Sequence, residues 1–126
     1  MSKASSTRPF AEVVQDRVRR EPGFGSALLE EAAECLLSGE LAVARNLVRD
    51  VIKGSIGYAE LSRRTGTPET SLVRMFGPNG NPTALNFSNV FMHLQRHSGV
   101  SLRVQSVPAQ RKRSTKRGSA AAHRAA

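Results

Sequence analysis

Apolar residues recur every three or four positions along most of the first hundred residues, which is the spacing of amphipathic helices. The pattern predicts four helices, over residues 9–20, 26–37, 40–53 and 83–97. Ser26 and Thr83 stand at helix starts, where a side-chain oxygen can cap a free backbone N–H group. Stretches rich in glycine, proline and serine separate the helices, and connections this short favour helix hairpins. The sequence therefore predicts an all-α fold.

Between the third and the last of these helices, residues 57–76 have the pattern of two short helices joined by a tight turn. Gly66 ends the first helix, because glycine adopts left-handed backbone angles without a side-chain clash. Thr67 is predicted to be the N-cap of the second helix and Pro68 its first-turn residue. The residues that face each other across the turn are apolar: Leu61, Leu72 and either Met75 or Phe76. This is the pattern of a helix-turn-helix, whose second helix enters the DNA major groove.

The chain after Phe76 contains a turn, the last helix and an extended end. Residues 77–82 hold two Gly, two Pro and two Asn, which predicts a structured turn. Residues 100–104 (VSLRV) alternate and predict one short strand that needs a partner, the alternative being an extended segment lying on the core. Residues 1–7 and the tail from Pro108 onward are poor in large apolar residues, so we expect both to be disordered.

The charge of the chain indicates a polyanionic partner but is unevenly distributed. The net charge is +9, and six basic residues without any acid lie in residues 108–126. The part that folds is therefore only mildly basic. Nucleic acid is the simplest partner for such a chain.

Several classes of function are not expected from these residues. Cys35 is the single cysteine, which excludes an intramolecular disulfide, and its place in an apolar helical run predicts a buried thiol. His93 and His97 are four apart, yet no acid or cysteine beside them completes a zinc shell, so we expect no metal and no cofactor. No nucleophile–base–acid set occurs, so neither enzymatic activity nor a small-molecule substrate is expected. Without a run of about 20 apolar residues or a secretion signal, we expect a cytoplasmic protein that does not contact a membrane.

The joined stretch GYAELSRRTGTPETSLVRMFGPNGNPTALNF resembles the helix-turn-helix of Xre/Cro-type regulators, and within them the addiction-module antidote (HigA-like antitoxin) family. The positions that carry the resemblance are Gly57, Tyr58, Leu61, Gly66, Pro68, Ser71, Leu72, Arg74, Met75, Gly77, Pro78, Gly80, Asn81, Pro82 and Thr83. The similarity extends upstream and covers roughly residues 24–104.

The resemblance implies a five-helix, all-α DNA-binding domain that acts as a dimer on an inverted repeat. It also implies repression of the chain's own operon and a RelE/HigB-like toxin as a partner. We accordingly expect a five- to six-helix Xre/Cro-like domain with a short C-terminal strand and a disordered basic tail. The expected division is an N-terminal extension with one helix (1–22), the helix-turn-helix domain (23–107) and the tail (108–126).

The second helix of the helix-turn-helix supplies most of the candidate DNA contacts. Helical geometry puts Glu69, Thr70, Val73 and Arg74 on its outward face. Arg74 is the first candidate for a base contact, because arginine on guanine is the commonest specific pairing; a solvated or phosphate-bound arginine is the alternative. Glu69 would accept from cytosine N4 or be repelled by phosphate. Thr70 and Ser71 would donate to phosphate or to base edges, although first-turn positions favour such residues in any helix.

Three further candidates lie beside that helix. Tyr58 either places its hydroxyl on a phosphate at a helix N-terminus or packs its ring onto the core. Asn79 and Asn81 either present amides to phosphate or serve only the turn. All of these residues are candidates for contacts to double-stranded DNA.

Two classes of function remain open at this point. The first is a dimeric, sequence-specific DNA-binding repressor. The second is a protein-interaction module that neutralises a RelE/HigB-like toxin and binds little specific DNA. The basic tail is compatible with a DNA-binding arm, a toxin-binding segment or a solubilising end.

Overall fold

The structure, a computed structural model, describes residues 9–109, and these residues form six helices without a strand. The helices are α1 (Phe10–Arg20), α2 (Phe24–Leu37), α3 (Leu41–Gly54), α4 (Tyr58–Thr65), α5 (Glu69–Met75) and α6 (Ala84–Ser98). The all-α prediction is confirmed for this part of the chain. The predictions for residues 1–8 and 110–126 lie outside the described residues. No helix within residues 9–109 is long and apolar enough to cross a membrane.

Helix α3 is the centre of the packing. It contacts α1, α2 and α4, while α6 packs against α2 and α4, and α5 packs on α4. The apolar stripes of these helices meet in one core, whose members are Leu29, Ala32, Ala44, Val48, Val51, Ile52, Leu61, Leu72, Phe76, Phe87, Val90 and Leu94. Each large side chain buried in this way stabilises the fold by about 1.5–3 kcal/mol.

The first helix is fastened to α3 by polar and close-packed contacts. The Gln15 Nε2 atom donates to Asp50 Oδ1 over 2.8 Å, and both side chains are buried. A Cβ atom on Gly54 would lie 2.6 Å from the Gln15 carbonyl oxygen, so only glycine permits this approach of the two helices. Residues 10–20 thus pack directly on the central helix.

Two of the predicted helix caps are wrong and one is confirmed. Helix α2 begins at Phe24, because Gly23 takes left-handed angles (φ 93°) that reverse the chain, and the Ser26 hydroxyl donates to the Gly23 carbonyl instead. Helix α5 begins at Glu69 with Pro68 in the N-cap position, so Thr67 lies one residue outside its predicted role. Thr83 does cap α6, since its hydroxyl oxygen accepts from the Asn86 N–H.

The predicted strand over residues 100–104 is not observed. The chain there is irregular, and no second strand occurs within residues 9–109 to pair with it. The Leu102 N–H donates instead to Gln95 Oε1 over 2.7 Å, and the Leu102 side chain packs against the core. This matches the alternative of an extended segment lying on the core.

Candidate nucleic-acid interface

The turn between α4 and α5 is held by side-chain hydrogen bonds from α4. Gly66 has left-handed angles (φ 78°) and ends α4, as predicted. The Ser62 hydroxyl donates to the Thr67 carbonyl over 2.6 Å, and the Thr67 N–H donates to Thr65 Oγ1. The turn between the two helices is therefore fixed from the first helix, which sets the direction of the second.

Helix α5 has one buried side and one exposed side. Leu72 is 1% exposed and inserts into the core, as does Phe76 at the C-cap. The residues predicted to face outward are all exposed, namely Glu69, Thr70, Val73 and Arg74, whereas Ser71 is half-buried. Four of the five candidates on α5 are therefore open to a partner on one helical face.

The charges of α4 and α5 differ in how far they are already paired. Arg63 and Arg64 both bind the Glu60 carboxylate, at 2.7 Å and 2.9 Å, and these hydrogen bonds lower the pKa of Glu60. Within residues 9–109, neither Arg74 nor Glu69 makes an ion pair. Among the three arginines of α4 and α5, Arg74 is thus the one whose guanidinium makes no ion pair within residues 9–109.

The turn over residues 77–82 lies directly after α5 and is anchored by a residue that the sequence analysis missed. Arg45 Nη1 of α3 donates to the Gly80 carbonyl over 3.1 Å, and the Gly80 N–H donates to the Gly77 carbonyl. A Cβ atom on Gly80 would overlap the Met75 carbonyl, so glycine is required there. Asn79 and Asn81 are exposed on this anchored turn. The only sequence signal for Arg45 is a pair of arginines, at 45 and 49, four apart in an apolar helix.

Tyr58 sits at the first position of α4 with its ring packed against the core. Burial raises the pKa of Tyr58 to about 12, with a smaller opposing effect of Arg49. Its hydroxyl makes no hydrogen bond within the described residues. The packing that the sequence offered as one alternative is observed, and it holds the ring beside the α4 N-terminus.

The other groups that the sequence singled out are not gathered into a site. No cluster of three or more His, Cys, Asp or Glu side chains that could hold a metal occurs between residues 9 and 109. Cys35 is half-buried rather than fully buried. The exposed polar groups of α5 and of the turn after it are thus the candidate residues that the structure brings together on one surface.

Comparison with known proteins adds no relative to this picture. No protein-family model, no curated protein and no solved structure matches the chain.

Proposed function

We propose that the protein is a sequence-specific DNA-binding regulator that inserts α5 into the major groove. The observation that supports this most directly is the exposed face of α5 formed by Glu69, Thr70, Val73 and Arg74. That face stands on a helix whose opposite side is anchored by Leu72 in the core. An isolated seven-residue helix is unstable in water, so the protein can offer one to DNA only because packing holds it.

Each exposed group has a role in this proposal. Arg74 donates two hydrogen bonds to guanine O6 and N7, and Val73 contacts a thymine methyl group. Glu69 accepts from cytosine N4, while Thr70 and Ser71 donate to phosphate or base edges.

The groups beside α5 position the protein on the backbone. Asn79 and Asn81 donate amide hydrogens to phosphate from the turn that Arg45 anchors. The Tyr58 hydroxyl, next to the N-terminus of α4, donates to a phosphate of the same strand segment. The six basic and three acidic side chains of residues 45–76 make this region attractive to a polyanion.

Dimerisation completes the proposed mode of binding. Two copies related by a two-fold axis would place their α5 helices in successive major grooves, about 34–36 Å apart. The target is then an inverted repeat, and binding to it would repress the gene it overlaps.

The decisive experiment measures binding of the full-length chain to a duplex selected from a random pool. Arg74→Ala is expected to weaken binding to the selected duplex by about 1–3 kcal/mol, roughly 5- to 150-fold, and to relax the preference at one base pair. Binding to an unrelated duplex should change much less. Fluorescence anisotropy at fixed salt gives both affinities.

Arg96→Ala is the matched control, because it removes one exposed arginine from α6 rather than from α5. It should lower the affinities for selected and unrelated DNA by the same small factor. Equal losses for Arg74→Ala and Arg96→Ala would remove α5 from the interface. Failure of the selection to enrich any sequence would overturn the proposal as a whole.

A further inference from the structure

A second surface lies away from α5, where the turn between α2 and α3 meets α6. A groove of about 310 Å³ opens there, lined by Leu36 and Leu41 on one side and by Phe87, Ser88 and Phe91 on the other. All of these side chains except Ser88 are apolar. An open groove of this character leaves apolar surface exposed that a partner could cover.

Two strongly exposed leucines are sequence neighbours of groove-lining residues, Leu37 of Leu36 and Leu85 of Ala84. Leu37, at the end of α2, is 72% exposed, and Leu85, near the start of α6, is 73% exposed. Leu85 and Met92 lie three residues before and four residues after Ser88, so they adjoin the groove on the surface of α6. We call six residues around the groove the groove surface: Leu36, Leu37, Leu41, Leu85, Ser88 and Phe91. Grouped exposed apolar side chains mark interaction sites, whereas scattered ones do not.

The chain segment that forms one side of the groove is acidic, and the segment that forms the other side is uncharged. Residues 21–44 contain five acidic side chains and no lysine or arginine, and residues 77–92 contain no charged side chain. Glu30, Glu31 and Glu34 are exposed on α2 and make no ion pair within residues 9–109. Burial and then the carboxylates of Glu31, Glu40 and Glu34 raise the pKa of Cys35, which places these charges around the end of α2.

Residues 1–8 and 110–126 do not supply apolar side chains that could cover the groove. Residues 1–8 contain one large apolar side chain, Met1, and residues 110–126 contain none, so neither can fill an apolar groove. A second copy seated symmetrically would bring two acidic α2 helices together, and like charges across an interface cost several kcal/mol. DNA is repelled by the same carboxylates.

We propose that the groove surface binds a basic amphipathic segment of another protein. Apolar side chains of that segment fill the groove between Leu41 and Phe91. Its lysines or arginines face Glu30 and Glu34, which lie seven and three residues before Leu37 and therefore on the same side of α2 as Leu37. This interaction is independent of DNA binding by α5, because it uses none of the residues assigned to DNA.

The test uses synthetic helical peptides as probes and the full-length chain labelled with ¹⁵N. One peptide carries leucine and lysine at helical spacing, a second replaces every lysine by glutamate, and a third replaces every leucine by serine. Only the leucine–lysine peptide is expected to bind, shifting backbone amides of residues 36–41 and 84–91 rather than those of α5. Its affinity should fall as salt rises, because the carboxylates contribute through screened attraction.

Variants of exposed residues keep the fold while removing the contact. The double variant Leu37→Ser/Leu85→Ser should bind the leucine–lysine peptide about tenfold more weakly or worse, since two exposed apolar anchors are lost. Val104→Ser/Val107→Ser is the matched control, because these valines are 83% and 65% exposed outside the groove surface, and it should bind like the parent. The double variant Glu30→Gln/Glu34→Gln should weaken binding and flatten its salt dependence.

Four results would overturn the proposal. They are absence of peptide binding, equal binding of the serine–lysine peptide, amide shifts confined to other surfaces, and a Leu37→Ser/Leu85→Ser variant that binds like the parent. Light scattering adds a fifth, since a parent dimer that becomes a monomer in the same variant would mean that a second copy covers the groove. DNA affinity measured on the same variants reports separately on α5.

Discussion

The outward face of α5 and the groove surface expose opposite kinds of side chain. The outward face of α5 presents Thr70, Glu69 and an unpaired Arg74, groups that form directed hydrogen bonds. The groove surface presents leucines and phenylalanine with Ser88 as its polar member, and α2, which forms one side of the groove, carries exposed carboxylates. The proposed partner of the first is a polyanion with hydrogen-bonding edges, and the proposed partner of the second is an apolar, basic protein segment.

The difference shows that the net charge of a chain does not indicate which of its surfaces binds which kind of partner. The net charge of +9 would suggest a uniformly basic molecule. All five charged residues between positions 21 and 44 are nevertheless acidic, whereas residues 45–76 hold twice as many basic as acidic residues. A polyanion and a basic peptide would each be steered to one of the two faces.

One contact between two aromatic rings joins the end of α5 to the groove, and removing it should have the largest effect on stability. The rings of Phe76, at the end of α5, and Phe87, in the groove, meet edge to face with centroids 5.6 Å apart. Phe76→Ala is expected to lower the free energy of unfolding by about 3–5 kcal/mol, because it removes a fully buried ring and leaves a cavity. Chemical denaturation measures this loss, and peptide and DNA binding should weaken together as folded protein is lost.

Val73→Ala is the matched control for that variant. Val73 lies on the same helix but is 46% exposed, so its loss should change stability by no more than about 0.5 kcal/mol. If Phe76→Ala proved as mild as Val73→Ala, the two faces would not share the aromatic contact. Loss of binding at one face alone in Phe76→Ala would likewise show that they are separable.

The buried carboxylate of Asp50 should contribute more to stability than the exposed carboxylates of α2. Asp50 accepts from Gln15 and from Arg49 while 6% exposed. Asp50→Ala is expected to cost about 1–3 kcal/mol of stability, because it leaves the buried Gln15 amide without its acceptor. Glu30→Ala, at an exposed position without an ion pair in the described part of the chain, should leave stability nearly unchanged. Thermal unfolding of the two variants decides between these outcomes.

A double-mutant cycle isolates the contact itself. Gln15→Ala/Asp50→Ala should be less destabilised than the sum of its single variants, since removing both partners leaves neither side of this hydrogen bond unpaired. Strict additivity would mean that Gln15 and Asp50 stabilise the fold through separate contacts, and that α1 is not fastened by this hydrogen bond.

Most of the helices could be predicted because their signals are local. The apolar periodicity of α3, the left-handed glycine after α4 and the Thr83 cap each depend on residues within one or two turns. The predicted exposure of Glu69, Thr70, Val73 and Arg74 followed from helical geometry alone. The cap assignments at Ser26 and Thr67 were wrong, because Gly23 and Pro68 set the helix starts through their backbone angles instead.

The contacts between distant segments were not predictable in the same way. The Gln15–Asp50 hydrogen bond and the Arg45 anchor to Gly80 each join residues 35 positions apart, and nothing in either local pattern indicates the partner. The groove was missed for the same reason, since Leu36 and Phe87 belong to helices that meet only in the fold. The strand over residues 100–104 was expected from alternation, but alternation cannot supply the second strand that pairing requires.

A pH titration tests how firmly α4 is packed. Tyr58 is the single tyrosine and the chain has no tryptophan, so absorbance of tyrosinate near 295 nm reports on it alone. With its pKa raised to about 12 by burial, Tyr58 stabilises the fold fully below pH 10, and this stabilisation is lost as the pH rises from 10 through 12. Ionisation should occur near pH 12 in the folded chain and near pH 10 in denaturant.

Tyr58→Phe is the control for this titration, because it keeps the packed ring and removes the ionisable group. Its stability between pH 10 and 12 should fall less than that of the parent, as followed by circular dichroism. An ionisation midpoint near 10 in the folded parent would instead mean that the hydroxyl is fully hydrated. The α4 N-terminus would then be more open than the packing of the ring indicates.

The smallest expected effect on stability concerns two threonines: Thr83, which caps α6, and Thr67, which was predicted to cap α5. Thr83→Ala should cost about 1 kcal/mol, because its hydroxyl oxygen accepts from the Asn86 N–H at the first turn of the helix that borders the groove. Thr67→Ala should cost about 0.5 kcal/mol or less, since Thr67 bonds to Ser62 and Thr65 through backbone atoms that alanine retains. Denaturant midpoints of the two variants, with Thr83→Ser as the variant that keeps the cap, measure the difference. A greater loss from Thr67→Ala than from Thr83→Ala would mean that the side chain of Thr67 stabilises α5 after all, and that the orientation of α5 depends on a residue outside it.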